Sequence, residues 1–374
     1  MRILHVSDCY APRTGGIETQ VRDLARAQLA AGHEVHVLTA TPGPGGERGG
    51  VVQDDEGLRV HRQGGHIPFD LPVSPTAPGR IRALLTELRP DVVHVHAGVL
   101  SPFAFDGARI AVDVGAPVLV TWHCMLDGTV AGMRAAVRRT HWATAPVALS
   151  AVSGAAARRV AEVFDAPVGV VPNGMDLERW APGPVPPPAG GPLRCVATMR
   201  LAPRKRGRAL VRVLADAAAQ LEPGALTLDI LGDGPTRASM QRAVDRAGLR
   251  EVVRLRGRVE RAQVLEAYAD AQVFLAPAVL EAFGIAALEA RASGLVVLAH
   301  RSTGIAEFVT DDVDGVLVDD DAAMSRALAR LAREPQRLAR LQERARSQRP
   351  VQDWAGTLQA AQAQYARAAR LVGR

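Results

Sequence analysis

The sequence predicts an α/β chain of two doubly wound parallel sheets, each in its own domain, and three observations carry that prediction. Short apolar strands alternate with helical periods along nearly the whole chain. A proline- and glycine-rich break, APGPVPPPAGGP, interrupts the alternation at 181–192 and reads as an interdomain linker. The chain's 374 residues exceed what one hydrophobic core ordinarily organises. Charged residues at 22% and hydrophobic ones at 48% describe a globular protein and exclude a disordered or collagen-like chain.

In the first half, RILHVS reads as a strand and PRTGG as a glycine turn. GIETQVRDLARAQLAAG follows as a helix, in which Ile17, Val21, Leu24, Gln28 and Leu29 recur at helical spacing until Gly32 stops it. HEVHVLTA is the next strand. DVVHVHA, an Ala-rich helix, APVLVTWH, ALSAVS and GVVPNG continue the pattern, and such alternation implies a parallel sheet covered on both faces. After the break the pattern restarts with strand LRCVATMR, helix RGRALVRVLADAAAQL, strand LTLDILGDG, helix SMQRAVDRAGL and strand VVRLRG. Helix VLEAYADA, strand VFLAP, a helix after Glu281, strand LVVLAH and GVLVDDD complete it. Ligands of such folds bind at the carboxyl ends of the strands, here in a cleft between the two halves.

No apolar run reaches the roughly 18 to 20 residues of a membrane-spanning helix, and the start, MRILHVSDCY, lacks the regions of a signal peptide, so a cytoplasmic location is expected. Cys9, Cys124 and Cys195 are odd in number and lack CxxC spacing, which points to neither a disulfide framework nor a zinc knuckle. Of the 45 basic residues 44 are Arg; Lys205 is the only lysine and Asn173 the only asparagine. That scarcity suggests a coding bias, and a residue that survives it once is a candidate for a specific task. Residues 1–180 carry 17 Arg against 18 acids, whereas residues 181–374 carry 28 basic against 21 acidic. The basic excess of the second half favours an anionic small ligand or a solvated Arg-rich surface there, and it weakens a nucleic-acid or membrane role for the first half.

The most informative stretch is LEAFGIAALEARASG, Leu280 to Gly294. Its helix reads as buried nearly all round, and a carboxylate there costs several kcal/mol unless hydrogen bonds satisfy it. A ribose diol supplies two donors to Glu289, while Glu281 sits in the turn before the helix, in position to accept from sugar hydroxyls. The Phe283, Gly284 and Ile285 amides at the helix start suit an anion. The competing reading pairs both acids with core Arg residues such as Arg291. In MRLAPRKR, Arg200 and Lys205 leave the carboxyl end of a strand, and a diphosphate leaving group calls for one planar fork and one point charge. An exposed basic loop is the plainer alternative.

Gly15 and Gly16 allow backbone to approach a phosphate, although tight turns use glycine routinely. Gly232 in LGDGP, and Arg258 and Val259 after Gly257, fit loops whose backbone reads a nucleobase. Asn173 lies in VPNG, and Asn-Gly is also a common turn. His123 ends the strand VLVTWH, where it reaches the cleft; His94 and His96 share one strand face and are as readily packed as functional. Asp311, Asp312 and Asp314, with Asp319 to Asp321, read as solvated acids rather than metal ligands, and no HExxH spacing is present.

Taken in order, GGIE, SAVS, VPNGMD, RLAPRK, ILGDGP, RGRV, the E-x7-E pattern from Glu281 to Glu289, TGIAEFV and DGVLV resemble the retaining GT-B glycosyltransferases of family 4 over nearly the whole chain. The resemblance implies two Rossmann-like doubly wound parallel-sheet domains facing across a cleft. An acceptor-side domain would span 1–175 with a crossing helix at 353–374, and a nucleotide-sugar-binding domain 176–352. It implies a retaining, metal-independent hexosyltransferase without a cofactor, serving cell-envelope or glycan biosynthesis. The donor would be GDP-mannose or a UDP-sugar and the acceptor a lipid, a polysaccharide or a small molecule; peripheral membrane contact fits a lipid acceptor and nucleic acid is no partner. Arg200 and Lys205 map to the diphosphate, Glu281 to the donor sugar, Glu289 to the ribose, His123 to the histidine of the cleft, and Gly15 and Gly16 to the glycine turn. Thr303 and Ala306 depart from the Gly and Pro the family often has there. A nucleotide-sugar epimerase or hydrolase on the same scaffold is the alternative. A nicotinamide dehydrogenase lacks its GxGxxG, and a non-catalytic binder would not need both glutamates and the basic pair.

Overall fold

Every residue of the first strand after Arg2 is buried, because the strand, β1 (Arg2–Ser7), lies inside a sheet covered on both faces. The computed structural model describes residues 1–13, 15–64, 77–183 and 191–373. They form two compact units, Met1–Gly174 with Gln352–Arg374, and Met175–Val351. Residues 184–190, the middle of the expected linker, lie outside the described residues.

The first unit holds β2 (Glu34–Thr39), β3 (Val51–Asp55), β4 (Leu58–Arg62), β5 (Val92–Ala97), β6 (Val118–Trp122), β7 (Val147–Ala151) and β8 (Gly169–Val170). The sheet order is β3-β4-β2-β1-β5-β6-β7-β8, parallel except for the β3–β4 pair. That hairpin is absent from the sequence reading. Its turn, Glu56-Gly57, has φ of 55° and 90°, the two positive angles that suit a right-twisted hairpin, and Asp54 accepts from the Gly57 amide at 2.9 Å. The helices α1 (Gly16–Ala30), α2 (Ala77–Leu88), α3 (Pro102–Asp113), α4 (Val130–Arg138) and α5 (Gly154–Phe164) belong to this unit. Ser153 starts α5 by accepting from the Ala156 amide at 3.1 Å.

The second unit is a six-stranded parallel sheet of β9 (Leu193–Thr198), β10 (Leu226–Leu231), β11 (Val253–Gly257), β12 (Val273–Ala276), β13 (Val296–His300) and β14 (Gly315–Val318). Its helices are α6 (Gly207–Ala218), α7 (Arg237–Arg246), α8 (Arg261–Asp270), α9 (Ile285–Ala292), α10 (Asp321–Arg333) and α11 (Pro335–Ser347). The order β11-β10-β9-β12-β13-β14 reverses between β9 and β12, which is the topological switch point of a doubly wound sheet. Its core includes Leu210, Leu214, Met240, Leu275, Leu298 and Leu328.

Within this unit Arg291 and Asp314 are both buried and meet at 2.7 Å, while the guanidinium also reaches the Ala345 and Gln348 carbonyls. Asp314 is therefore not the solvated acid that the sequence suggests: Arg291 arrives from α9 and compensates it. Asp311 and Asp312 do stay near the surface, paired with Arg301 and Arg337.

The last helix, α12 (Trp354–Leu371), returns to the first unit. Asp353 caps it by accepting from the Gly356 amide at 2.8 Å, and Thr357, Ala361, Tyr365 and Ala368 form its buried stripe. Ala361, Tyr365 and Ala368 pack with Ile3, Val92, Leu119 and Ala148.

Candidate active site

In the second unit the sequence-predicted residues all lie at the carboxyl edge of the sheet. Arg258 and Val259 follow β11, Gly232 follows β10, Arg200 and Lys205 follow β9, and Glu281, Phe283 and Gly284 lie between β12 and α9. The loops touch at their glycines. Gly232 donates its amide to the Gly257 carbonyl at 2.7 Å, and with φ of 134° a Cβ on it would sit 2.0 Å from the Met199 carbonyl oxygen. Only glycine fits there. Arg258 is exposed and Val259 half-buried at this rim.

Lys205 donates directly to Glu281 across the switch point, and both side chains are half-buried. The rival sequence reading, in which core Arg residues neutralise the glutamates, fails for Glu281, since Arg291 is taken by Asp314. Arg206, which the sequence reading did not single out, holds the Lys205 loop. It takes a left-handed φ of 57°, forks onto Asp321 at 2.8 and 2.9 Å, and donates to the Pro277 carbonyl at 2.9 Å. One guanidinium thus ties the loop after β9 to the end of β12. Arg200 is exposed, and its guanidinium has no partner among the described residues.

Gly284 caps α9 with φ of 93°, where a Cβ would meet Ile305 at 2.6 Å. The amides of Phe283, Gly284 and Ile285 have no protein acceptor among the described residues, while the Phe283 ring packs on Phe308 with centroids 5.6 Å apart. The helix is less buried than its sequence suggests: Ile285, Ala286, Glu289 and Ser293 are half-buried and make one open face. Small apolar residues read as core whichever way they point. Burial, with the Glu289 charge beside it, pushes the Tyr268 phenol well above its usual range. That hydroxyl lies 3.0 Å from Thr198 and 3.3 Å from the Ala286 carbonyl, so it joins the end of β9 to the start of α9. Thr303, buried, bonds the His300 carbonyl at 2.8 Å, and the Gly304 amide donates to the Glu281 carbonyl at 2.9 Å.

In the first unit, Gly15 caps α1 with extended backbone, and Gly16 opens the helix. The Glu18 carboxylate lies where a Gly15 Cβ would be, 2.3 Å away, so this turn presents an acid beside its amides. His123 and Asn173 line a small cavity with Gln20, His96, Trp354 and Thr357. Asn173 is 7% exposed, and the following Gly174 is required because Trp354 and Thr357 lie against it, 2.5 and 2.8 Å from a Cβ there. The Asn-Gly pair is thus a close-approach site rather than a turn.

His94 and His96 do share a face, and both are buried. His5 Nδ1 meets His96 Nε2 at 2.9 Å and His96 Nδ1 meets His123 Nε2 at 2.9 Å, while His94 bonds Tyr365 at 2.8 Å and Thr121 at 2.7 Å. Ring nitrogens of His5, His94 and His96 lie within 4.8 Å of one another. All six are already hydrogen-bonded, so the group is a network rather than a coordination set. Burial pushes His5 and His123 down to about 4 and His94 and His96 well below their usual value.

Comparison with known proteins adds to this geometry. The model described as Glycosyltransferase Family 4 matches residues 14–179, and that described as Glycosyl transferases group 1 matches residues 188–348. The chain is 28% identical over 368 residues to a GDP-mannose-dependent alpha-(1-6)-phosphatidylinositol dimannoside mannosyltransferase of Mycobacterium tuberculosis, covering 93% of this chain and 92% of the relative. It is 29% identical to the D-inositol 3-phosphate glycosyltransferase of Xylanimonas cellulosilytica, covering 93% and 91%. Among solved structures it resembles the Anabaena protein HepE in complex with UDP, with a TM-score of 0.73 at 19% identity over 98% of this chain and 100% of that one. At that identity the likeness is one of fold.

Proposed function

Because the chain belongs to the family 4 glycosyltransferases of the GT-B fold, we propose that it moves a hexosyl group from a nucleotide-diphosphate sugar to an acceptor hydroxyl, with retention at the anomeric carbon and without a metal. The observation that carries this reading is the Lys205–Glu281 pair at the switch point of the second sheet. Breaking the bond from the anomeric carbon to the diphosphate puts negative charge on the leaving oxygens and positive character on the sugar. A bound diphosphate draws Lys205 from Glu281, the Arg200 fork and the first amides of α9 add positive potential, and Glu281 is freed for sugar hydroxyls. Glu289 takes the ribose diol. The acceptor oxygen bonds the anomeric carbon on the face the phosphate leaves, and its proton passes to the departing phosphate oxygen. No carboxylate nucleophile is required.

The names of the relatives support GDP-mannose ahead of a UDP-sugar as donor, and an inositol-bearing lipid or inositol phosphate as acceptor. Among the described residues no helix is long and apolar enough to cross a membrane, so a lipid acceptor would be met by peripheral contact. The test is a thermal-shift panel of GDP, UDP and ADP with their sugars in the presence of EDTA, followed by NMR of the anomeric configuration of the product. A ligand at 100 times its Kd stabilises by about 2.7 kcal/mol. Stabilisation by one nucleotide series and an axial product from an axial donor are expected; no shift with any series, or an inverted product, overturns the reading.

A further inference from the structure

The cavity beside His123 is one end of a longer polar path. Gln28 on α1 donates through Nε2 to the Tyr365 hydroxyl at 2.8 Å, which leaves its Oε1 facing His5 Nε2 at 2.6 Å. An amide oxygen only accepts, so His5 Nε2 carries a proton, and in a neutral ring Nδ1 holds the lone pair. The same step repeats twice: His96 Nε2 donates to His5 Nδ1, and His123 Nε2 donates to His96 Nδ1, each at 2.9 Å. His123 Nδ1 is then the last lone pair, in a residue that lines the cavity, and no group among the described residues engages it.

The second branch runs in the same sense. Tyr365 accepts from Gln28 and donates to His94 Nδ1, His94 Nε2 donates to Thr121 at 2.7 Å, and Thr121 meets Ser150 at 2.6 Å. Each bond along the two branches then pairs one donor with one acceptor. Turning the Gln28 amide over would reverse every bond in both branches and give His123 an Nδ1–H instead, so the two polarities exclude one another.

We propose that Gln28, His5 and His96 are positioning residues that fix His123 as the neutral Nε2–H tautomer. Its Nδ1 lone pair then accepts a hydrogen bond from a substrate hydroxyl, and the cavity rejects groups that can only accept, such as phosphate or carboxylate oxygens. Neutrality follows from the surroundings: the groups bonded to these rings are one another, the Gln28 amide and the Tyr365 and Thr121 hydroxyls, and burial opposes any charge on them. That the hydroxyl belongs to a sugar rests on the proposed transfer reaction; the tautomer does not.

The experiment is a long-range proton–nitrogen correlation spectrum of the imidazole rings in the full, nitrogen-15-labelled chain at neutral pH, with His123 assigned through His123→Asn. A single His123 signal protonated at Nε2 and bare at Nδ1 is expected. An Nδ1–H ring, an imidazolium or a mixture of tautomers overturns the proposal. Gln28→Glu, whose carboxylate also only accepts, preserves the signal, whereas Gln28→Met, whose thioether is only a weak acceptor at the end of the path, gives mixed tautomers in a chain whose amide spectrum stays folded. A single unchanged tautomer in Gln28→Met means that the path does not set it. Should that variant fail to fold, wild type and Gln28→Glu decide. None of these readings depends on donor binding, so loss of the transferase reading would leave them unchanged.

Discussion

Lys205 and Glu281, 76 positions apart in the chain, bond to each other where strand order reverses in the second sheet. In the proposed reaction this pairing would hold the positive point charge beside its own counter-ion until a diphosphate competes for it. Lys205→Ala should keep the fold, since both partners are half-buried, and should lower turnover by about 100- to 1,000-fold, the usual cost of one preorganised donor to a developing oxyanion. Lys205→Arg tests whether the site needs a point charge; turnover at the wild-type rate would show that any cation serves. Steady-state rates with the donor found by the thermal-shift panel measure both.

Arg291 and Asp314 make the opposite kind of pair, buried on both sides. Asp314→Ala leaves an uncompensated guanidinium in the core and should cost about 3 to 5 kcal/mol, read from urea unfolding. Arg291→Met with Asp314→Leu should recover much of that loss. A single variant within 1 kcal/mol of wild type on the same measurement would contradict the buried pairing.

Glycine at the rim is required by contact rather than by turn chemistry. A Cβ on Gly304 would lie 2.1 Å from the Ala282 carbonyl oxygen, and backbone cannot yield as a side chain can. Gly304→Ala and Gly232→Ala should each lose about 2 to 4 kcal/mol and weaken donor binding. Gly32→Ala, with left-handed φ of 86° but open space around it, should lose only about 1 kcal/mol. Gly304 has no positive φ, so a negligible loss there beside losses at Gly232 and Gly32 would show that φ alone matters.

The buried histidines set the acid limit of stability. Burial lowers His5, His61 and His123 to about 4, with His94 and His96 lower still, whereas an unfolded histidine titrates near 6.5. Between those values the unfolded chain binds more protons, so stability is full above about pH 6.5 and falls towards pH 4, by up to about 1.4 kcal/mol per pH unit for each ring. Asp8, which burial raises to about 6, works the other way as a single group. The urea midpoint should therefore drop steeply below pH 6.5; a midpoint flat from pH 7 to 5 would mean that the rings are charged in the folded chain.

Strands were legible wherever both faces are covered, because continuous apolar runs such as VVLAH admit few other readings. The β3–β4 hairpin was not, since β3 is mostly exposed, β4 buries polar His61 and Arg62 beside Leu58 and Val60, and the Glu56-Gly57 turn is the main mark of it. The candidate residues after β9 and β12 were legible from type and spacing, but their partners were not. Arg206 gives no sign in sequence of its left-handed clamp, and Asp314 looks like any acid in a surface connection until Arg291 is placed beside it. His94 and His96 announce a shared face by alternation. That His5 and His123 complete the path depends on sheet register, which sets His5 opposite His94 and His96 opposite Thr121 and which local sequence does not encode.

The most direct test of the central claim is calorimetric titration of GDP, UDP and ADP, each against its monophosphate, into wild type and Lys205→Ala. One diphosphate should bind wild type and bind the variant at least about tenfold more weakly, a difference of 1.4 kcal/mol, while the matching monophosphate binds both nearly alike. A diphosphate that binds Lys205→Ala as tightly as wild type would remove Lys205 from the site and contradict the account.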